Sequence, residues 1–259
     1  MIPMPSQPKI IEKKDNLAVF EIEGLWPGYG VTIGNSLRRV LLSSLQGAAI
    51  TQVKIKGVQH EFSTIPGVLE DVVTILLNLK QLRFKLHSEE PQRIRLLVKG
   101  EKEALGSSFD LPSQVELMNK ESHIATVTDK KTELDIEVLI EKGMGYEPVE
   151  SRKKSKLEIG TIAVDAIFTP VRKVSYRVES MRVGERTDFD RLLLELETDG
   201  TITPEEAISH TSEILVSHFA LIGGAFVPPI GAAPGKEEKS IVVKSKKKHE
   251  KKKTGKKTK

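Results

Sequence analysis

Six histidines, 36 carboxylates and a run of closely set glycines are the residues of this 259-residue sequence with the most scope for chemistry. The histidines are His60, His87, His123, His210, His218 and His249. None shows the i, i+4 pairing that puts two imidazoles on one helix face around zinc. His60 and Glu61 are neighbours, which point to opposite faces of an extended chain. With no cysteine there is no thiolate nucleophile, disulfide or sulfur metal ligand. The stretch GLWPGYGVTIGN (24–35) holds four glycines but lacks GxGxxG spacing and the βαβ setting a dinucleotide needs. No GxxxxGK[ST] loop is present, no serine sits in GxSxG, and the carboxylates show no two-metal spacing. The residues thus assign no catalytic group and no metal ligand to this chain.

Charge separates two populations. From Lys236 to Lys259 there are 12 Lys against 3 Glu, a local +9, whereas the other 235 residues carry 28 basic and 33 acidic side chains. The body is mildly acidic and the basic isoelectric point belongs to the tail. The start, MIPMPSQPKIIEKKDN, has no basic segment leading into an apolar stretch, so no secretory leader is expected. No apolar run approaches the roughly 20 residues of a membrane span. A cytoplasmic chain without membrane contact is the expectation.

The elements that would position any site follow from periodicity. NLAVFEIEG alternates as a strand, with Ile10 and Ile11 before it. After the glycine-rich turn a helix is expected from Gly34 to Leu45, capped by Thr32 or Asn35. AITQVKIKGV begins a new strand, and VLEDVVTILLNLK reads as a helix from Val68 to Lys80. Strands are expected at 82–86, 93–98, 123–127, 134–141, 171–179 and 192–198, with 150–156 an exposed loop. Thr203, Pro204 and Glu206 form a capping box with proline at the first helical position. That helix is expected to stop at Gly223-Gly224, before a Pro/Gly linker. Strands with a helix early, a β-rich middle and strands with a helix late suit an α+β domain interrupted by a mainly β insert. The expected limits are 1–47 with 169–226 for the outer domain, 48–168 for the insert, and 227–259 for linker and disordered tail.

At 100° per residue the first helix places Ile33, Leu37, Val40, Leu41, Ser44 and Leu45 on one face, with Arg39 nearly opposite. Spacing alone favours a core helix with a solvated arginine over a docking surface. The late helix has an apolar arc (Ala207, Ile208, Ile214, Leu215, Phe219, Leu221, Ile222) wider than one stripe. It suits either contact with both its own sheet and a second copy, or full burial in a monomer.

Longer motifs are more specific. GYGVTIGNSLRRVLLSSLQGAAITQVKIKGVQHEFSTIPGVLEDVVTILLNLK (28–80), GMGYEP (143–148), IAVDAIFTPVRKVSYRVE (162–179) and RTDFDRLLLELETDGTITPEEAI (186–208) resemble the amino-terminal domain of the bacterial RNA polymerase alpha subunit family. The resemblance covers roughly residues 8–225. It implies a homodimer packed through the early and late helices, with Leu37, Val40, Leu41, Ile214, Leu215, Phe219 and Ile222 at the contact. It implies binding of the beta subunit by Arg39, with Arg38 and the HEFS stretch His60, Glu61, Phe62 and Ser63 in the same region. It implies beta-prime binding at Lys80 and Val164. The resemblance also implies omega and sigma as holoenzyme partners and a polymerase magnesium held by the large subunits, so no cofactor is expected here.

Alpha subunits usually continue into a helical carboxyl-terminal domain that binds promoter DNA and activators. The stretch GAAPGKEEKSIVVKSKKKHEKKKTGKKTK is not expected to form one. Its lysines, Lys246, Lys247, Lys248, Lys251, Lys252 and Lys253 among them, suit phosphate contact without sequence preference, or serve only to solubilise. A stand-alone nucleic-acid-binding protein acting through the tail is the alternative; an acidic body with one Trp, three Tyr and eight Phe argues against it. An enzyme would need a convergent polar site that the sequence does not display.

Overall fold

A computed structural model of the chain describes residues 2–152, 158 and 160–226. The lysine tail and most of the 150–156 loop therefore lie outside the described residues. The elements in order are β1 (Lys9–Lys14), β2 (Leu17–Leu25), α1 (Tyr29–Ser43), β3 (Gln46–Ile55), α2 (Val72–Lys80), β4 (Phe84–Leu86), β5 (Gln92–Lys99) and β6 (Lys102–Leu105). They continue with β7 (Phe109–Asp110), β8 (Val115–Leu117), β9 (His123–Val127), β10 (Glu133–Met144), β11 (Tyr146–Glu147), β12 (Thr161–Ala163) and β13 (Ala166–Ile167). The long strands β14 (Val171–Val183) and β15 (Arg186–Thr198) then lead to α3 (Pro204–Phe226).

Two sheets carry the fold. The first is four-stranded and antiparallel, in the order β1-β2-β15-β14, so strands from the two ends of the sequence lie side by side. Alternation along β15 buries Leu192, Leu194 and Leu196 on one face. Leu194 and Leu196 meet Leu37, Leu41 and Leu45 of the α1 region and Ala207 of α3 in one apolar cluster, and Leu192 lies beside Gly34. The second sheet runs β7-β5-β10-β3-β4-β8, with β12 against β3. Its buried face and α2 form a larger cluster drawn from Ile50 through Val164.

Phe168 packs with Ala49 and Ala166 in a small cluster of its own. Gly47 and Gly143 are register partners in β3 and β10. A Cβ at Gly47 would lie 1.8 Å from the Phe168 carbonyl oxygen, and one at Gly143 would lie 2.5 Å from the Phe168 ring. Only hydrogen fits at these two positions. Arg83, which follows α2, also crosses between the parts: its Nε lies 3.5 Å from the carboxylate of buried Asp199. Residues up to Phe219 form one unit, and Ala220–Lys259 form a second.

Several boundaries differ from those expected. Helix α1 starts at Tyr29 rather than Gly34 and ends at Ser43. Leu45 falls outside it and β3 begins at Gln46. Its first amides are not capped by Thr32 or Asn35. Instead the Asp190 carboxylate of β15 accepts from the Gly28 and Gly30 N–H groups at 2.9 and 3.0 Å, a negative charge set against the positive end of the helix dipole. Helix α2 starts at Val72, not Val68, because Asp71 accepts from Thr74 N–H at 2.8 Å and acts as N-cap. Helix α3 begins where the capping box places it: Thr203 and Glu206 exchange bonds of 2.9 and 3.2 Å. It runs through Gly223 and Gly224, neither of which has positive φ, to Phe226.

Candidate functional site

Helix α1 has two unlike faces. Gly30, Gly34, Leu37 and Leu41 are buried against β14 and β15. A Cβ at Gly34 would sit 2.7 Å from the Tyr176 ring and 2.9 Å from a Leu192 methyl, so glycine sets how closely the helix lies on the sheet. On the outer side Arg38 and Arg39 are both exposed. Neither forms an ion pair with a described residue. The nearby Leu42 is 37% exposed. Arg39 is thus presented outward by a helix locked from behind, and its planar fork of donors is free to take a carboxylate or backbone carbonyls.

His60, Glu61, Phe62 and Ser63 lie in the loop between β3 and α2. The Ser63 hydroxyl donates to the His60 carbonyl at 2.8 Å and lies 3.1 Å from His60 Nδ1, closing a small turn. Phe62 at its tip is 80% exposed, and Leu69 further along the same segment is 72% exposed. The Phe62 ring therefore stands in water at a hydrogen-bonded turn and takes no part in the core.

Lys80 and Val164, far apart in sequence, are brought together. Lys80 Nζ lies 3.5 Å from the carboxylate of Asp165, the residue after Val164. Val164 is buried, and its carbonyl accepts from Arg152 at 2.8 Å. Asp165 also accepts from the Val149 N–H at 3.0 Å. That N–H holds its carboxyl below the usual carboxylate range against the opposing effect of burial, with Lys80 and Tyr146 adding to the effect. Asp165, Tyr146 and Arg152 carry no local signal in the sequence: only folding sets Asp165 beside Lys80, Tyr146 beside Asp165 and Arg152 on the Val164 carbonyl.

The residues expected at a dimer contact divide. Leu37 and Leu41 are 6% and 0% exposed and are packed inside the chain's own core, leaving a second copy nothing of them to touch. Val40, Ile214 and Leu215 are half-buried, whereas Phe219 is 63% exposed and the neighbouring Val216 is open too. Ile222, in the second unit, is exposed. An apolar stripe in water along α3 marks the part of this set that remains available.

Among the described residues no group of three or more His, Asp or Glu side chains is arranged to hold a metal ion. None of their helices is long and apolar enough to cross a membrane.

The body is an interrupted α+β fold that buries one face of α1 and leaves Arg38, Arg39 and Phe62 exposed. Residues 53–169 match the family model described as the RNA polymerase Rpb3/RpoA insert domain. The chain is 48% identical over 212 residues to a DNA-directed RNA polymerase subunit alpha of Symbiobacterium thermophilum, covering 82% of this chain and 67% of that protein. It is 49% identical over 210 residues to the subunit alpha of Roseiflexus sp. (strain RS-1), covering 81% and 64%. Against that of Heliobacterium modesticaldum the figures are 52% over 202 residues, 78% and 64%. The chain spans about two thirds of the length of these relatives. It belongs to the family of bacterial DNA-directed RNA polymerase alpha subunits.

Proposed function

We propose that this chain is the assembly subunit of a bacterial DNA-directed RNA polymerase, dimerising through α1 and α3 and presenting separate surfaces to the two large subunits. The observation that carries the reading is the outward display of Arg38 and Arg39 on a helix whose opposite face is fixed to the sheet. The beta subunit docks on Arg39, with Arg38 and the loop of His60, Glu61, Phe62 and Ser63 beside it. Beta-prime docks at the Lys80–Asp165 pair next to Val164. A second copy packs on the open part of α3 within the first unit, through Phe219 and the accessible edges of Ile214, Leu215 and Val40. The chain itself performs no chemistry. Phosphodiester formation and its magnesium reside in the large subunits, omega and sigma complete the assembly, and the complex works in the cytoplasm. The lysines of the tail, Lys246 to Lys248 and Lys251 to Lys253, add a salt-sensitive attraction for DNA phosphates.

A two-fold dimer offers each surface twice, so one copy takes beta on its Arg39 surface and the other takes beta-prime at its Lys80 and Val164 surface. Arginine anchors of this kind often cost 2 kcal/mol or more, roughly a thirtyfold loss of affinity, when truncated. The test is Arg39→Ala in the full chain, with dimerisation followed by sedimentation and capture of beta by co-purification. The expected result is an intact dimer that no longer retains beta. Normal retention of beta would remove Arg39 from the site.

A further inference from the structure

His123 in β9 lies between two carboxylates from different elements. Its Nε2 is 2.9 Å from Glu70 Oε1, in the segment before α2, and its Nδ1 is 2.8 Å from Glu103 Oε1, in β6. A neutral imidazole carries one N–H and one lone pair, so it can satisfy only one of two acceptor-only partners. With both carboxylates ionised, contacts of this length on opposite nitrogens favour the doubly protonated ring. Glu70 and Glu103 are the charged groups that act on it, and both favour the cation. The Glu70 bond is the stronger influence holding the ring above the ordinary histidine value, and partial burial opposes it.

What this cation holds is the base of the 59–71 segment. Glu70 also accepts from the Thr126 N–H at 2.6 Å and the Thr126 hydroxyl at 3.1 Å. The Leu69 N–H donates to the Thr126 carbonyl at 2.9 Å, and the Val72 N–H to the Ser63 carbonyl at 3.2 Å. The segment is thereby tied to β9 at one end and folded on itself at the other, with Phe62 and Leu69 held out in water.

We propose that His123 is a proton-controlled latch: as imidazolium it joins Glu70 to Glu103 and fixes the 59–71 segment on β9, and on deprotonation it loosens that segment. A neutral ring turns one lone pair toward a carboxylate, replacing attraction with repulsion across 2.8–2.9 Å. The latch closes below the raised histidine value and opens above it. Its consequence for partner binding rests on the reading of His60–Ser63 as part of the beta contact; the latch itself does not.

The experiment uses the full chain and follows two signals across pH: the His123 ring resonances, and hydrogen exchange at the Leu69, Val72 and Thr126 amides corrected for the intrinsic pH dependence. His123 should titrate above the ordinary value of about 6.5, and Glu70→Gln should bring it back down. Amide protection should fall through the same midpoint, about tenfold for each unit by which that midpoint is raised. His123→Arg, charged at every pH, should keep protection flat and high, while His123→Gln should leave it low throughout. A midpoint at or below the ordinary value, protection that ignores the titration, or equal exchange in the Arg and Gln variants would each overturn the latch. Capture of beta is read separately. If protection switches with pH while capture does not, the latch stands and the beta-contact reading of His60–Ser63 fails.

Discussion

Replacing Gly34 by alanine sets two ordinary effects against each other, and the structure decides which wins. Glycine inside a helix costs about 1 kcal/mol relative to alanine, so propensity alone makes Gly34→Ala stabilising. The new Cβ would sit 2.7 Å from Tyr176 Cδ2, 2.9 Å from Leu192 Cδ1 and 3.0 Å from Tyr176 Cε2. Carbon atoms pack comfortably at about 3.5–4.0 Å, so the shortfall is roughly 0.8 Å. Tyr176 is half-buried and has some room to turn, but Leu192 is fully buried on the central strand β15 and has none. Helix α1 must lift from the sheet, at an overpacking cost of about 1–3 kcal/mol. The net is a destabilisation of about 1 kcal/mol. In urea, with a slope near 2 kcal/mol per molar, that moves the midpoint down by about 0.5 M at fixed protein concentration. The control is Gly223→Ala in α3, where nothing lies within 4 Å of the added carbon. It should be neutral or stabilising by up to about 1 kcal/mol. Gly34→Ala matching Gly223→Ala in sign would refute close approach of α1 to the sheet as the reason for glycine there.

Asp190→Ala removes the acceptor for the Gly28 and Gly30 amides; a loss of about 1–2 kcal/mol is expected by urea unfolding, with faster exchange at both amides, and unchanged exchange would count against the long-range cap. Arg83→Ala leaves the Asp199 carboxylate, which has donors from Thr201 at 2.6 and 3.0 Å, without its cation; a loss of about 2 kcal/mol is expected, and none would show that the pair adds nothing across the two parts. Phe62→Ala should leave the unfolding midpoint within about 0.5 kcal/mol, since its ring stands in water, while weakening capture of beta; equal capture would take Phe62 out of the contact. The stability lost in Glu70→Gln should itself depend on pH. Burial opposes ionisation of Glu70, yet the Thr126 N–H and His123 hold its carboxyl below the usual range, so its contribution is full above the unfolded carboxylate value and fades as pH falls through the lower folded one. His123, raised, contributes fully below the unfolded histidine value and fades as pH rises through the folded one. The wild-type advantage over Glu70→Gln should therefore be largest between those limits, and a constant difference across pH would contradict the pairing.

How far the sequence could be read depended on how local each signal is. The start of α3 was legible because Thr203 and Glu206 satisfy each other's amides three residues apart. The start of α2 was legible in principle, since Asp71 caps Thr74, but the apolar Val68 and Leu69 just before it extended the helical pattern. The start of α1 was not legible: its cap comes from Asp190 on another strand. Gly34 is a packing position inside the helix and not its start. Likewise Gly223-Gly224 carried a stop signal that the backbone does not use.

Motif order and long matching runs in the sequence were enough to give the family, the interrupted α+β plan and the outward place of Arg39, because periodicity on a single helix is a property of neighbouring residues. Tertiary structure alone decided that Leu37 and Leu41 are spent within the protomer, that Lys80 meets Asp165, that Arg83 reaches Asp199, and that His123 sits between Glu70 and Glu103. The physical reason is common to all four. Burial and charge pairing depend on which segments are placed a few ångströms apart, and these segments are separated by tens to more than a hundred residues, a distance over which the sequence pattern carries no register.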